Sequence, residues 1–432
     1  MNLRLTTLAV PLMLSVPLGA ALAQENPLRC IQQPIAWFLG QQNRIVIETP
    51  DDCGELQVTF PEALELFDRG PWAAGDTTQR LYFRAVAPLE AGTIRFVSGD
   101  YALDLPVRIL TWPQALEKRS FENWDLPRLF PMEGEDEHKS DISYLRVEDI
   151  EAMRAAGGAD PDAVVAGLPD DETLYYKLGE STIPRAVFVQ YQDPRGCPVC
   201  GRKIFEGRSP FYPWIIDPEG HPWKVGCPEC GRWFPSNDFA AGDMTSGEFP
   251  DDGWGYFKPG EQYPYAFIAY YASWYYTGHH VADLRDLALA YARSGDRRLG
   301  RAATLMMFRS AEQYLNLAVN LNMRKSLTRA AVWAGRIVPQ TDIGIYNTWL
   351  YIEHNWEVPR HAQMCAAFEQ IWDYLSDEDP ELIAFLQAQN HPEIQSMADV
   401  RDFIETGYFR TCLLYTSPSP RDRTRSRMPS SA

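Results

Sequence analysis

The chain predicts a multidomain α+β protein, and three observations carry that expectation. Short runs of branched and aromatic residues, separated by turn residues, fill residues 27–112. Two copies of C-P-x-C-G follow, beginning at Cys197 and Cys227. Beyond residue 262 apolar residues recur at helical spacing with tight turns and no strands between. The expected layout is an N-terminal β-sandwich, an inserted cysteine module and an all-α layer of stacked hairpins.

Composition narrows the function classes. A chain of 432 residues can bury more than one core, and 45% hydrophobic with 23% charged residues excludes wholesale disorder. The formal charge of −18 argues against a nucleic-acid partner, which requires a basic footprint. After the first thirty residues no apolar run reaches transmembrane length, so no membrane span is expected.

Both ends read as segments outside the fold. Residues 1–23 have the form of a secretory signal: Arg4, an apolar stretch from Leu5 to Leu18, and an Ala21-Leu22-Ala23 cleavage site. A bacterial periplasmic or secreted location follows as an expectation. Residues 412–432 read as translated sequencing adapter. Cys412-Leu413-Leu414-Tyr415-Thr416-Ser417 matches the end left by a tagmentation transposase, and Ser426 to Ala432 matches a flow-cell primer. The natural chain is therefore expected to be cut at about Thr411. The two ends carry Arg4, Arg421, Arg423, Arg425 and Arg427 against Asp422, so the remainder is more acidic still. An acidic ligand would then need a locally basic cleft.

Within residues 24–112, strands are predicted at 44–48, 56–60, 80–84 and 92–97, punctuated by Asp51-Asp52, Gly70-Pro71 and Gly99-Asp100. Cys30 and Cys53 fall in this domain, and export makes a disulfide between them the default. Residues 113–195 read as linker and entry helices, with one amphipathic helix over Val147 to Ala156.

Residues 196–240 are the cysteine module. Each C-P-x-C-G forms a tight turn that points two thiolates at one ion, and the glycine permits the positive φ the turn needs. Cys197, Cys200, Cys227 and Cys230 then make a closed tetrahedral site for structural zinc, with no coordination position left for catalysis. In an oxidising compartment paired disulfides are the alternative. The aromatics Phe211-Tyr212-Pro213-Trp214 and His221-Pro222-Trp223 between the pairs either floor a sugar site or pack the module, and packing is the favoured reading.

Residues 262–411 carry the helices: Val281 to Ser294 ended by Gly295, Arg297 to about Leu317 after the cap Asp296, Pro359 to Leu375, and a shorter one from Asp379-Pro380-Glu381. His279-His280 reads as a solvated helix start. Of two basic clusters, Arg293, Arg297, Arg298 and Arg301 straddle a turn and read as a solvated end. Arg324, Lys325, Arg329 and Arg336 suit either a carboxylated or sulfated glycan or a solvated basic face.

The run Leu287-Ala288-Leu289-Ala290-Tyr291-Ala292-Arg293-Ser294-Gly295-Asp296 with Ala302-Ala303 resembles a helical hairpin of the heparinase II/III-like polysaccharide lyases. Pro127-Arg128-Leu129, Ala334-Gly335-Arg336-Ile337 and Phe368-Glu369-Gln370-Ile371-Trp372-Asp373 are similar to other stretches of that family, in the same order, as is the cysteine module. The resemblance spans about residues 120 to 411. It implies an incomplete (α/α) toroid, an acidic, uronic-acid-containing polysaccharide as partner, and cleavage by β-elimination. That reaction needs a carboxylate neutraliser, a base and an acid. The local candidates are Tyr351, His354 and Asn355, with Trp349 and Trp356 as stacking aromatics; the same residues would otherwise pack a helix pair. A glycoside hydrolase on the same toroid, using two of Asp283, Asp286, Asp342, Glu353 and Glu357, is one rival. A non-catalytic glycan-binding protein is another.

Overall fold

The computed structural model describes residues 27–34, 37–50, 53–73, 75–114, 145, 147–179, 195–208, 213–259, 264–319 and 354–410. These form a mixed α+β arrangement of several sheets and a helical layer. The signal-like start, the adapter-like end and the stretch 115–144 lie outside the described residues.

The N-terminal domain holds two four-stranded sheets. The first has the order β1-β3-β6-β5, from Arg29–Gln32, Gln42–Glu48, Thr78–Ala85 and Leu64–Arg69. The second has the order β2-β8-β7-β4, from Trp37–Phe38, Tyr101–Leu110, Leu89–Ser98 and Gln57–Thr59. Alternation places Ile45, Ile47, Leu81 and Phe83 on the shared inner face, opposed by Ile94, Phe96 and Leu105, and all are buried. Outside the second sheet, Arg95 and Asp104 face each other in register and pair at 2.9 Å in solvent, worth a few tenths of a kcal/mol at most.

The outer face of the first sheet is covered rather than solvated. Arg44 and Tyr82 stand opposite one another in register, and both reach Asp252 in the loop that follows the cysteine module. Arg44 Nη1 lies 2.6 Å from Asp252 Oδ2, and the Tyr82 hydroxyl donates to the same oxygen at 2.6 Å. Trp254 lies under the Arg44 guanidinium at 4.7 Å. Arg44 and Asp252 are almost wholly buried, so removing one partner strands the other charge. Arg44→Ala is expected to cost about 3–5 kcal/mol in denaturant melts. An Arg44→Met, Asp252→Leu double variant should recover most of that loss. A double variant no more stable than Arg44→Ala would contradict the pairing account.

Cys30 and Cys53 are separate thiols here, not the disulfide expected from their context. Each sulfur turns to a local carbonyl, Cys30 to Gln32 at 3.3 Å and Cys53 to Gly54 at 3.4 Å. Burial pushes the Cys30 thiol up to about 11, which leaves it protonated and unreactive.

The cysteine module carries a small antiparallel sheet, β9-β10-β11, from Ile215–Ile216, Val225–Gly226 and Trp233–Phe234. Three entry helices precede it: α1 (Val147–Ala156), α2 (Pro161–Val165) and α3 (Asp171–Tyr176). The helical layer follows with α4 (Phe267–Tyr275), α5 (Val281–Ser294), α6 (Arg297–Val319), α7 (His354–Gln370), α8 (Trp372–Ser376), α9 (Pro380–Ala388) and α10 (Met397–Ile404). Gly295 ends α5 at φ 72°, its N–H bonding Tyr291 O at 2.7 Å. Asp379 caps α9 by accepting from the Leu382 N–H at 3.0 Å, with Pro380 at the first helical position.

Two helix boundaries differ from expectation. Pro359 lies inside α7, which starts at His354, and the predicted single helix to Leu375 breaks at Ile371, giving α8. Of the four arginines that read as a solvated basic end, Arg293, Arg297 and Arg298 are exposed as expected, while Arg297, Arg298 and Arg301 also form ion pairs. Arg297 meets Asp377 at 3.0 Å, Arg298 meets Asp162 at 2.6 Å, and Arg301 meets Asp171 at 2.7 Å. They fasten α6 to the entry helices and to the turn before α9. Among the described residues no helix is long and apolar enough to cross a membrane.

Candidate functional site

The four sulfurs of the cysteine module converge. All lie within 4.8 Å of one another, with Cys197 3.8 Å from Cys230 and Cys200 3.5 Å from Cys227. Sulfurs at the corners of a tetrahedron around a metal at about 2.3 Å stand about 3.8 Å apart. A disulfide would require about 2.05 Å. The spacing therefore suits a shared metal ion, and four cysteines supply a complete soft donor set.

Backbone geometry sets this up. In the first turn Gly201 N–H bonds Cys197 O at 2.8 Å, and in the second Gly231 N–H bonds Cys227 O at 2.9 Å. Gly201 and Gly231 sit at φ 61° and 69°, where a side chain would be strained. The Val199 N–H points at Cys197 Sγ at 3.4 Å, a contact that favours thiolate. Burial pushes the Cys197 thiol well up and Cys200 to about 11, a penalty that a bound cation would reverse.

Of the aromatics between the cysteine pairs, Trp214 and Trp223 are buried and pack as expected, and Phe211 and Tyr212 lie outside the described residues. Phe234 of β11 lies 5.0 Å from Phe267, the first residue of α4, and Trp214 packs edge-on against both. The module thus forms one core with the helical layer. His221 stays outside the sulfur cluster: it stacks on Trp233 at 3.6 Å and bonds Asp217 at 3.0 Å.

Of the residues singled out as catalytic or substrate-binding, Tyr351, Trp349, Arg324, Lys325, Arg329 and Arg336 lie outside the described residues. The backbone places His354, Asn355 and Trp356 in the first turn of α7, and their side chains lie outside the described set.

Two polar clusters that sequence reasoning missed lie in the helical layer. In the first, Nδ1 of His361 is 2.8 Å from the Tyr408 hydroxyl, which is 3.4 Å from that of Tyr276. His280 joins this region, its Nε2 2.9 Å from Ser310 Oγ and its ring stacked on Tyr276. His280 is wholly buried in a π-helical turn (Tyr276–His280), which corrects the solvated helix start expected for His279-His280. Burial lowers His361 to about 4, so it is neutral near pH 7. α7 places position 354 two turns before His361, on the same side of the helix.

The second cluster centres on Glu312 of α6. Its carboxylate meets Arg309 Nη1 at 2.7 Å, His391 Nε2 at 2.5 Å and the Tyr175 hydroxyl. His391 also reaches Glu393 at 2.9 Å and lies flat against Trp112, ring centroids 4.9 Å apart. Burial alone would lower His391, but its bonds to Glu312 and Glu393 hold it above the ordinary range. Burial would likewise raise Glu312, yet the Arg309 charge and His391 hold it below. The cluster locks α3, α6, the loop after α9 and the exit from β8 together.

Comparisons with known proteins add little. No protein-family model and no curated protein matches the chain. Among solved structures, domains 4 and 5 of the S-layer protein SbsC are 16% identical with a TM-score of 0.17, over 19% of this chain and 51% of that one. A second chain, the S-layer protein rSbsC(31-844), gives 15% identity and a TM-score of 0.16, over 19% of this chain and 12% of that one. The chain thus spans about half or less of the length of the structures it matches.

Proposed function

We propose that this protein is an exported polysaccharide lyase of the heparinase II/III-like kind, acting on a uronic-acid-containing polysaccharide, with a structural zinc in a ribbon-like module and its helices forming part of an (α/α) toroid. The observation that carries the reaction is the His361–Tyr408 pair at 2.8 Å, backed by Tyr276. β-Elimination takes the C5 proton to a base, forms the C4–C5 double bond and breaks the C4–O bond, and the leaving oxygen takes up a proton. A neutral His361 can accept a hydrogen bond from the Tyr408 hydroxyl and so orient it. Both side chains are buried, so they would serve as positioning residues. Direct contact with sugar would fall to Tyr351, His354 and Asn355, the last two at the start of the helix that carries His361.

Zinc is the metal favoured by four thiolates in tetrahedral spacing. It would hold the two turns together and supply no reacting position. A soft-donor iron site is the outcome that elemental analysis would separate.

The test assays the purified protein on acidic polysaccharides. Tyr408→Phe is expected to lower kcat about a hundredfold or more with KM little changed. Its melting temperature should stay close to that of the parent. Undiminished turnover in both Tyr408→Phe and His361→Ala would overturn the assignment.

A further inference from the structure

Between the entry helices and α5 lies a cavity of about 500 Å³, within the range of small-ligand sites. Its walls are largely aliphatic, and polar groups from four places converge on it: Lys177 after α3, Glu219 of the cysteine module, Tyr275 at the end of α4, and Asp283, Asp286 and Arg293 of α5. Tyr275 is 2% exposed, and its hydroxyl has no hydrogen-bond partner among the described residues. A buried phenol left unpaired costs free energy, which a ligand hydroxyl at that wall would recover. Asp286 is engaged by Arg285 at 2.7 Å. Asp283, Glu219, Lys177 and Arg293 form no ion pair among the described residues.

We propose that this cavity binds a neutral sugar residue. Its rim sets acceptors beside donors, carboxylates near an ammonium and a guanidinium, and sugar hydroxyls both donate and accept. With Asp286 paired to Arg285, two carboxylates stand against two cations, a balanced rim that gives a uronate no net attraction. The aliphatic walls suit the C–H face of a pyranose ring. The site is independent of the elimination chemistry, and a Tyr408→Phe protein keeps it.

Calorimetry and saturation-transfer NMR on the full chain with cellobiose, maltose, chitobiose and glucuronate test this. At least one neutral disaccharide should bind, and Asp283→Asn or Lys177→Met should weaken it about tenfold. Both residues are solvent-accessible, so these variants fold. Tyr275→Phe should weaken binding while leaving the melting temperature unchanged or higher. The proposal fails if no neutral sugar binds, if glucuronate binds more tightly, or if both rim variants bind as the parent does.

Discussion

Serine at Cys197 or Cys227 is expected to unfold the cysteine module and take part of the helical core with it. Each cysteine supplies one of four buried or half-buried donors, and three sulfurs cannot close the site. The two turns hold β10 and β11 in place, and Phe234 on β11 packs against Trp214 and Phe267. Cys197 and Cys227 belong to the same buried cluster as the α4 aromatics, so the damage reaches beyond the module. Metal-dependent folding energies are large, and the expected loss is about 4–5 kcal/mol or more. Chelation under denaturing conditions should do the same to the parent. Cys365→Ser, outside the cluster, is the control and should change stability by less than about 0.5 kcal/mol. A Cys197→Ser protein with unchanged melting, or a parent whose mass reveals two disulfides among these cysteines, would contradict the metal-site account.

Glu312→Gln is the second large effect. The substitution keeps the shape but leaves Arg309 and His391 facing one another without the carboxylate that holds them. A stranded buried charge costs about 3–5 kcal/mol. The pH dependence identifies the cause. His391 is held above its ordinary 6.5, so its contribution is complete below that pH and is lost as pH rises through its higher folded value. Glu312 is held below its ordinary 4.5, so its contribution is complete above that pH and is lost as pH falls through its lower folded value. The cluster is therefore most stabilising between 4.5 and 6.5. Denaturant melts across pH should show the parent weakening above that window and Glu312→Gln weakening much less. Parallel profiles for the two proteins would reject the cluster as the source.

Where local chemistry decides the outcome, the sequence was readable. Helix α1 covers the predicted Val147–Ala156, and α5 ends at Gly295 because only a left-handed residue closes that turn. The four cysteines were legible because C-P-x-C-G is a local turn repeated with its glycine. Strand β8 was missed because it contains Pro106, which argues against a central strand. Its neighbour β2 pairs only Ile109 and Leu110, so the proline sits where that side of β8 has no ladder to break. Helix α4 lies in the stretch read as helical, but its bounds had no signature, because Phe267 to Tyr275 is buried on nearly every side and shows no amphipathic period. His361, Tyr408, Glu312 and His391 come from distant parts of the chain, and nothing local marks them. Their meeting is a product of tertiary packing. The Cys30–Cys53 expectation rested on compartment alone, and the local carbonyl contacts of the two thiols had no signature in the sequence.

The most direct measurement of the central claim is ultraviolet absorbance of the products released from an acidic polysaccharide by the purified protein. The account predicts absorbance from new C4–C5 unsaturated ends, lost in Tyr408→Phe. Chain cleavage giving saturated ends with uptake of water, or no cleavage of any uronic-acid-containing polysaccharide, would contradict it.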